Sequence, residues 1–185
     1  MERKPVTFPI ETLHCLMICD AERGLLFWKE RPVSMFSSEF TARMWNARNA
    51  GKPAFARLNR EGYCYGAIGG KKALAHRVIW AMHMGVWPVG IIDHINHRRD
   101  DNRIENLRLG DAKQSAWNRG AHQGSRSKHV GVTWSKVNQG WMARITTAGE
   151  CKYLGTFSTE EQAAEAYRLA AVEARGAWAF EEGAV

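Results

Sequence analysis

The sequence lacks three features that would assign it to other classes of protein. No apolar run approaches the roughly 18 residues that a membrane-spanning helix needs, and VIWAM at 78–82 is among the longest. The N-terminus is basic but lacks an apolar core followed by a cleavage site, so we expect no secretory signal and a cytoplasmic location. The four cysteines contain no Cys-x-x-Cys pair, which argues against a cysteine-based zinc site and predicts reduced, packed thiols.

Acidic residues are scarce in one part of the chain. Of the 185 residues, 26 are Lys or Arg and 19 are Asp or Glu, which gives a formal charge of +7. Within residues 119–158, Glu150 is the single acid among several basic side chains. Such an excess suits a polyanionic partner, although a solvated basic face would look the same. With 45% apolar and 24% charged residues the composition is otherwise that of an ordinary globular protein, which excludes a disordered chain.

The first 75 residues alternate apolar stretches with turn residues, as in a small α+β module. Helices are predicted at residues 10–17 and after an N-cap at Ser38, and strands at GLLFWK, PAFARLN and GYCYGAIGG. The stretch KKALAHRVIWAMHMG is predicted as one buried helix that stops at Gly85. This module contains no sharp catalytic motif.

A second segment concentrates polar residues between two short strands. Residues 91–92 lead into the polar turn INHRRDDN, and residues 104–109 return as a second strand. Asp111 is expected to cap a short helix. Strand, loop, strand and helix therefore converge on Asp93 and His94.

An adjacent carboxylate and imidazole can together hydrolyse a phosphodiester. The reaction needs a base with a near-neutral pKa and a cation that stabilises developing charge. His94 would accept the proton of water, and Asp93 would hold a hard divalent ion such as Mg²⁺. Because consecutive strand residues point to opposite faces, the strand must bend or bulge for both to face one phosphate. Asn106 is expected to tie the loop together and fix the imidazole. The structural alternative is a turn aspartate beside a surface histidine.

The segment at 75–120 contains, in order, AHR, G-x-WP, IDHIN, DNR-x-x-NLR and a final NR. It closely resembles the phage-type HNH endonucleases, including homing enzymes, and the first module resembles their N-terminal module. The resemblance implies that His94 is the general base, Asp93 a metal ligand and Asn106 the middle asparagine of the motif. It also implies Mg²⁺, or another divalent ion such as Mn²⁺, as the cofactor.

The last position of the HNH motif departs from the family. An Asn or His that binds the metal would map to Ser115, whose hydroxyl is a weaker and shorter ligand. Asn118, almost one helical turn further on, is the alternative ligand if the helix is rotated. The departure leaves open a member with impaired catalysis.

The C-terminal segment at 128–180 contains Trp134, Trp141, LGTF and AAEAY in an order that resembles the APETALA2 and ethylene-response-factor DNA-binding domain. The resemblance implies a three-stranded sheet in the major groove of DNA with a helix behind it. Strand parity places the tryptophans toward the helix. Arg144 is the best candidate for reading a base, and lysines would hold phosphates. The predicted DNA-binding residues are Lys128, Thr133, Ser135, Lys136, Arg144, Thr146, Lys152 and Tyr153.

The sequence therefore predicts an α+β chain with four parts: an α+β module at 1–75, a ββα-metal HNH core at 76–120, a linker at 121–126, and at 127–180 a three-stranded antiparallel sheet packed on one helix. The expected function is a metal-dependent DNA endonuclease, of phage homing type, acting on double-stranded DNA in a bacterial host. One active site per chain favours a nick unless two chains cooperate, and a monomer fits this expectation. No membrane or small-molecule partner is expected. The alternative is a non-catalytic DNA-binding regulator with a degenerate HNH site.

Overall fold

The computed structural model describes residues 6–118 and 124–179. The chain folds as small antiparallel sheets combined with helices, which confirms the predicted α+β class. Its contacts divide it into two compact units, one ending at Gly110 and the other beginning at Asp111. The finer division of the chain into four parts, as expected from the sequence, remains a prediction. In the described residues, no helix is both long and apolar enough to cross a membrane.

The first unit opens with a three-stranded sheet, ordered β1-β2-β3, and two helices. Ser38 caps the second helix, as predicted, through a capping box with Thr41. The elements in chain order are α1 Ile10–Leu16, β1 Met17–Asp20, β2 Leu25–Trp28, α2 Glu39–Asn49 and β3 Pro53–Ala54.

A second sheet departs from the predicted elements in two places. The stretch PAFARLN is not one strand, because Phe55 adopts a left-handed φ of 58° that separates β3 from β4. KKAL is a strand and not the start of a helix, since it pairs with β5. The elements are β4 Arg57–Leu58, β5 Cys64–Ile68, β6 Lys71–Leu74 and α3 Ala75–Met84.

The core of the first unit is built around α3, where Val78, Ile79 and Ala81 are fully buried. Leu13 and Met17 pack into the same cluster. Helix α3 ends at Gly85 in the left-handed conformation, as the sequence predicts. A hairpin of β7 Ile91–His94 and β8 Leu107–Gly110 completes the first unit.

In the second unit, a sheet ordered β11-β10-β9 packs against a long helix. Ala163, Tyr167 and Ala171 form the buried face of that helix. Gly131 lets the Tyr167 ring approach the chain, because a Cβ there would lie 2.2 Å from the ring. The elements are α4 Ala112–Trp117, β9 Val132–Ser135, β10 Gly140–Thr147, β11 Glu150–Phe157 and α5 Glu160–Arg175.

The cysteines are free thiols, but they are not all packed. Cys15 and Cys151 are exposed, so the prediction of packing is wrong for these two. Cys19 and Cys64 are half-buried, and burial raises the pKa of the Cys19 thiol to about 11.

Of the predicted linker, residues 121–123 lie outside the described residues.

Candidate active site

The Asp93–His94 pair lies at the end of β7 in a regular hairpin. Asp93 pairs with Arg108 and His94 with Leu107, with no shift in register. Ile92 and His94 are 5% and 4% exposed and share one face, while Asp93 points to the other. The expected bend or bulge is therefore absent from this strand, because uninterrupted pairing with β8 keeps its side chains alternating.

Asp93 forms an ion pair across the hairpin. Arg108 Nε donates to Asp93 Oδ2 at 3.0 Å, and Nη2 lies 2.9 Å from the same oxygen. The two side chains are 14% and 12% exposed, respectively. Residues opposite each other in paired strands share a face, so strand register places this guanidinium beside the carboxylate.

The imidazole of His94 is enclosed by polar and aromatic side chains. Its Nε2 lies 3.4 Å from Asn102 Oδ1. The ring of His76 meets it edge-on, with centroids 5.1 Å apart and planes at 90°. The ring of Tyr63 lies 5.8 Å from that of His94 and 5.2 Å from that of His76.

Burial in this cluster keeps both imidazoles neutral. Desolvation, opposed by the Asn102 hydrogen bond and by Asp93, lowers the pKa of His94 below its usual 6.5. Desolvation, with the nearby His94 and Arg77, lowers the pKa of His76 to about 3. A neutral imidazole has an unprotonated nitrogen at neutral pH, which is the state that a general base requires.

Asn106 ties together the loop between the two strands, as predicted. Its Oδ1 accepts from the backbone N of Asn96 at 2.9 Å, and its Nδ2 donates to the carbonyl of Asp101 at 2.8 Å. Asn106 is 5% exposed. Both contacts of the Asn106 amide are with backbone atoms. The side-chain amide that lies at the His94 imidazole is that of Asn102. The predicted effect of Asn106 on the orientation of the imidazole would therefore act through the loop.

A second carboxylate stiffens the same loop. Asp101 accepts hydrogen bonds from Arg103 Nε and Nη2 at 3.0 and 2.8 Å and from Asn96 Nδ2 at 2.8 Å. These bonds, the one from Arg103 foremost, lower the pKa of Asp101 to about 2. The loop that follows His94 is therefore held at several points.

The other two predicted metal ligands belong to the second compact unit. Asp111 caps α4 through a capping box with Gln114, as predicted. Ser115 lies half-buried in this helix, and Asn118 at its C-cap is 4% exposed. The contact division thus assigns Asp93 and His94 to one unit and these two residues to the other.

The donors present suit a hard divalent ion. In the first unit the Asp93 carboxylate is a ligand of the type that Mg²⁺ prefers, and in the second unit, taken by itself, the oxygens of Ser115 and Asn118 are of the same chemical type. Across 6–118 and 124–179, no three His, Cys, Asp or Glu residues cluster as a metal site. Mg²⁺ does not need such a cluster, because it is commonly held by one or two carboxylates together with water and substrate phosphates.

The C-terminal sheet exposes most of the predicted DNA-binding residues. Arg144 and Thr146 on the central strand are exposed. Ala143 and Ile145, which alternate with them along the strand, are buried. Arg144 pairs with Tyr153, whose hydroxyl lies 2.8 Å from Thr156 Oγ1. The other predicted residues that are exposed are Lys128, Thr133, Lys136 and Lys152.

Two of the predicted DNA-binding residues differ from the rest, one in its exposure and the other in the face of the sheet on which it lies. Ser135 is half-buried, and its Oγ accepts from the backbone N of Asn138 at 3.1 Å. Lys152 pairs with the buried Ile145, so register places it on the opposite face from Tyr153, although it is exposed at an edge strand.

Sequence reasoning missed three side chains around the predicted base: Asn102, Arg108 and His76. Arg108 could have been found from hairpin register, because it sits directly across from Asp93. Asn102 is brought to His94 by the shape of an irregular loop, for which periodicity gives no signal. The position of His76 in an apolar helix favours a structural role that braces the fold, and its ring contacts the predicted base.

Comparison with known proteins agrees with the two resemblances. The HNH endonuclease family model matches residues 73–116. The AP2-like ethylene-responsive transcription factor AIL7 of Arabidopsis thaliana is 41% identical over 87 residues, which are 46% of this chain and 16% of that factor. The chain thus spans only a small part of the length of this relative.

A viral protein and a solved structure are also similar. An HNH endonuclease of Acanthamoeba polyphaga mimivirus is 33% identical over 124 residues, covering 66% of this chain and 63% of that protein. The HNH homing endonuclease I-HmuI aligns with 91% of this chain and 90% of its own, at 17% identity and a TM-score of 0.39. Residues 73–116 therefore match the HNH endonuclease family model, in a chain that is also similar over part of its length to AP2-like factors.

Proposed function

We propose that the protein is a metal-dependent endonuclease that hydrolyses phosphodiester bonds in double-stranded DNA. The observation that carries the proposal is that the segment matching the HNH family contains a buried, neutral imidazole, His94, in the strand residue that directly follows Asp93.

His94 accepts the proton of the attacking water. Its buried position keeps it unprotonated, and Asn106 holds the loop that follows it. Asp93 would hold the divalent ion, Mg²⁺ or Mn²⁺, with Ser115 or Asn118 as a further ligand. When bound, such an ion stabilises negative charge on the phosphate and the leaving oxygen.

The C-terminal sheet would locate the DNA. Arg144 projects from its exposed central strand, where a planar guanidinium can bind the edge of a guanine. Exposed lysines such as Lys128 and Lys136 would contact phosphates without reading sequence. We propose that the enzyme is a homing endonuclease of phage type that acts on DNA in the cytoplasm of a bacterial host.

A supercoiled plasmid separates this function from its alternative. The proposed enzyme converts the plasmid to nicked or linear form with Mg²⁺, and EDTA stops the reaction. A non-catalytic DNA-binding regulator would shift the plasmid in a gel and leave it supercoiled in both buffers. The Asp93–Arg108 ion pair and the serine at position 115 favour this second function, because both reduce the ligands offered to a metal. The regular pairing of β7 with β8 favours it as well, because it keeps Asp93 and His94 on opposite faces of the hairpin.

A further inference from the structure

Helix α4 is too short to be stable by itself. It spans six residues, Ala112–Trp117, and an isolated helix of that length does not persist in water. The capping box of Asp111 with Gln114 closes its first turn. The rest of its stability comes from packing, and within the second unit α4 contacts the 3-10 turn Gly176–Trp178 that follows α5.

Arg175, in the last turn of α5, joins three elements of the second unit. Its Nη1 donates to the Tyr167 hydroxyl at 2.9 Å, and its Nη2 donates to the carbonyl oxygen of Thr146, near the end of β10, at 3.2 Å. The guanidinium carbon lies 5.5 Å from the centre of the Trp117 ring in α4. At this distance a guanidinium is attracted to the face of an aromatic ring. The planar guanidinium can donate both hydrogen bonds and contact the ring at the same time, which a lysine cannot do.

A second cation lies near the Trp117 ring. Lys113 Nζ is 5.4 Å from the ring centre, but Lys113 belongs to α4 itself and cannot fasten that helix to another element. Trp117 and Arg175 are both half-buried, so water screens their attraction less than it would at a fully exposed site. Arg175 therefore fastens Trp117 to α5 and to β10.

We propose that Arg175 is a positioning residue that holds α4 against the C-terminal sheet through Trp117. The inference rests on the proposed function, in which β10 contacts DNA and Ser115 on α4 offers an oxygen to the metal ion. The match to the HNH model ends at residue 116, within α4. The strand that locates the DNA and the last position of the motif then move as one body. Loosening this contact lowers the rate of cleavage without weakening the binding of DNA.

Substitutions on both sides of the contact separate this role from simple apolar packing. Arg175→Met keeps an unbranched side chain and loses the charge and both hydrogen bonds. Trp117→Leu loses the ring, whereas Trp117→Phe keeps a ring face that attracts a cation. Apolar packing alone would give Leu and Phe the same effect. The control is Arg168→Met, which removes another arginine of α5, bound to Glu165 at 2.7 Å.

The experiment combines amide hydrogen exchange by NMR on the full chain in EDTA, DNA affinity in EDTA, and the kinetics of plasmid cleavage in Mg²⁺. In Arg175→Met and Trp117→Leu we expect the amides of residues 115–117 to exchange at least about tenfold faster than in the parent. We expect kcat to fall by about tenfold in both, while KM and DNA affinity stay within about threefold of the parent. Trp117→Phe and Arg168→Met should match the parent within about threefold in every measurement.

Four results would overturn the inference. Parent exchange rates at residues 115–117 in both Arg175→Met and Trp117→Leu would show that this contact does not hold α4. Faster exchange with the parent kcat would remove its role in the reaction. Equal losses in Trp117→Leu and Trp117→Phe would indicate apolar packing, and a parallel loss of DNA affinity and kcat would indicate a structural role in the second unit. If the parent protein cuts no DNA, the proposed function fails, and the exchange rates alone still decide whether Arg175 holds α4.

Discussion

Arg108 and Asp93 occupy opposite positions in the two strands of the hairpin, and Arg108 Nη2 lies 2.9 Å from Asp93 Oδ2. The arginine neutralises a mostly buried carboxylate. A metal ion at Asp93 would share that carboxylate with the guanidinium, so this pair connects the stability of the hairpin to the proposed metal site.

The first prediction concerns this ion pair. Breaking a pair of low exposure leaves an uncompensated charge, so Arg108→Met should lower the free energy of unfolding. A double-mutant cycle with Asp93→Asn, followed by urea denaturation, should give a coupling energy of about 1–3 kcal/mol. The exposed pair of Arg168 and Glu165 serves as the control and should show much weaker coupling. Equal coupling in the two cycles would contradict the account.

The second prediction concerns the metal requirement. Ser115→Asn introduces the amide oxygen that HNH enzymes are expected to use, so the Mg²⁺ concentration for half-maximal cleavage should fall, or the rate should rise. Ser115→Ala, which removes the hydroxyl, should raise that concentration. A Mg²⁺ titration of plasmid cleavage measures both variants. If neither midpoint moves, Ser115 does not contact the metal.

The third prediction concerns stability at mildly acidic pH. Burial lowers the pKa of His76 to about 3, while the unfolded chain titrates near 6.5, so the unfolded state binds more protons between these values. Stability from this group is present above pH 6.5 and is lost as the pH falls, by up to about 1.4 kcal/mol per pH unit. His76→Phe should flatten the dependence of the free energy of unfolding on pH between pH 6 and 5, measured by urea denaturation. His83→Phe, on the exposed side of the same helix, should leave it unchanged, and an unaltered slope in His76→Phe would refute the assignment.

The fourth prediction separates base reading from phosphate binding. In EDTA, Arg144→Ala should cost roughly 1–3 kcal/mol on the preferred duplex and much less on a scrambled one. Lys136→Ala should weaken both duplexes alike and reduce the slope of log affinity against log salt by at most about one. Salt titrations of the full-length variants on both duplexes measure this. Equal losses on both duplexes for Arg144→Ala would make it a phosphate contact.

Much of the fold could be predicted because local signals decide it. The caps at Ser38, Asp111 and Thr159 are visible in sequence, since each needs only a short polar side chain before a helical pattern. The alternation of buried and exposed residues from Ala143 to Thr146 in β10 likewise follows from strand parity, and Arg144 is exposed as expected. The split around Phe55 could not be predicted, because packing against Gly66 and not propensity holds that residue in a left-handed conformation.

The candidate site was only partly accessible from the sequence. The motif identifies Asp93, His94 and Asn106, and the loop contacts of Asn106 follow from its amide chemistry. The bend expected at Asp93 is missing, because pairing with β8 favours a regular strand. The contact of Asn102 with His94 depends on the path of an irregular loop, which no periodic pattern encodes.

The most direct test of the account is cleavage of supercoiled plasmid in Mg²⁺ by His94→Ala beside the parent protein and the control His83→Ala. We predict that His94→Ala lowers the cleavage rate by at least about a hundredfold, because the base that activates water is gone, while its affinity for DNA in EDTA stays within about twofold of the parent. His83→Ala should cleave like the parent. A His94→Ala variant that cleaves at the parent rate would contradict the central claim that His94 is the general base of a nuclease.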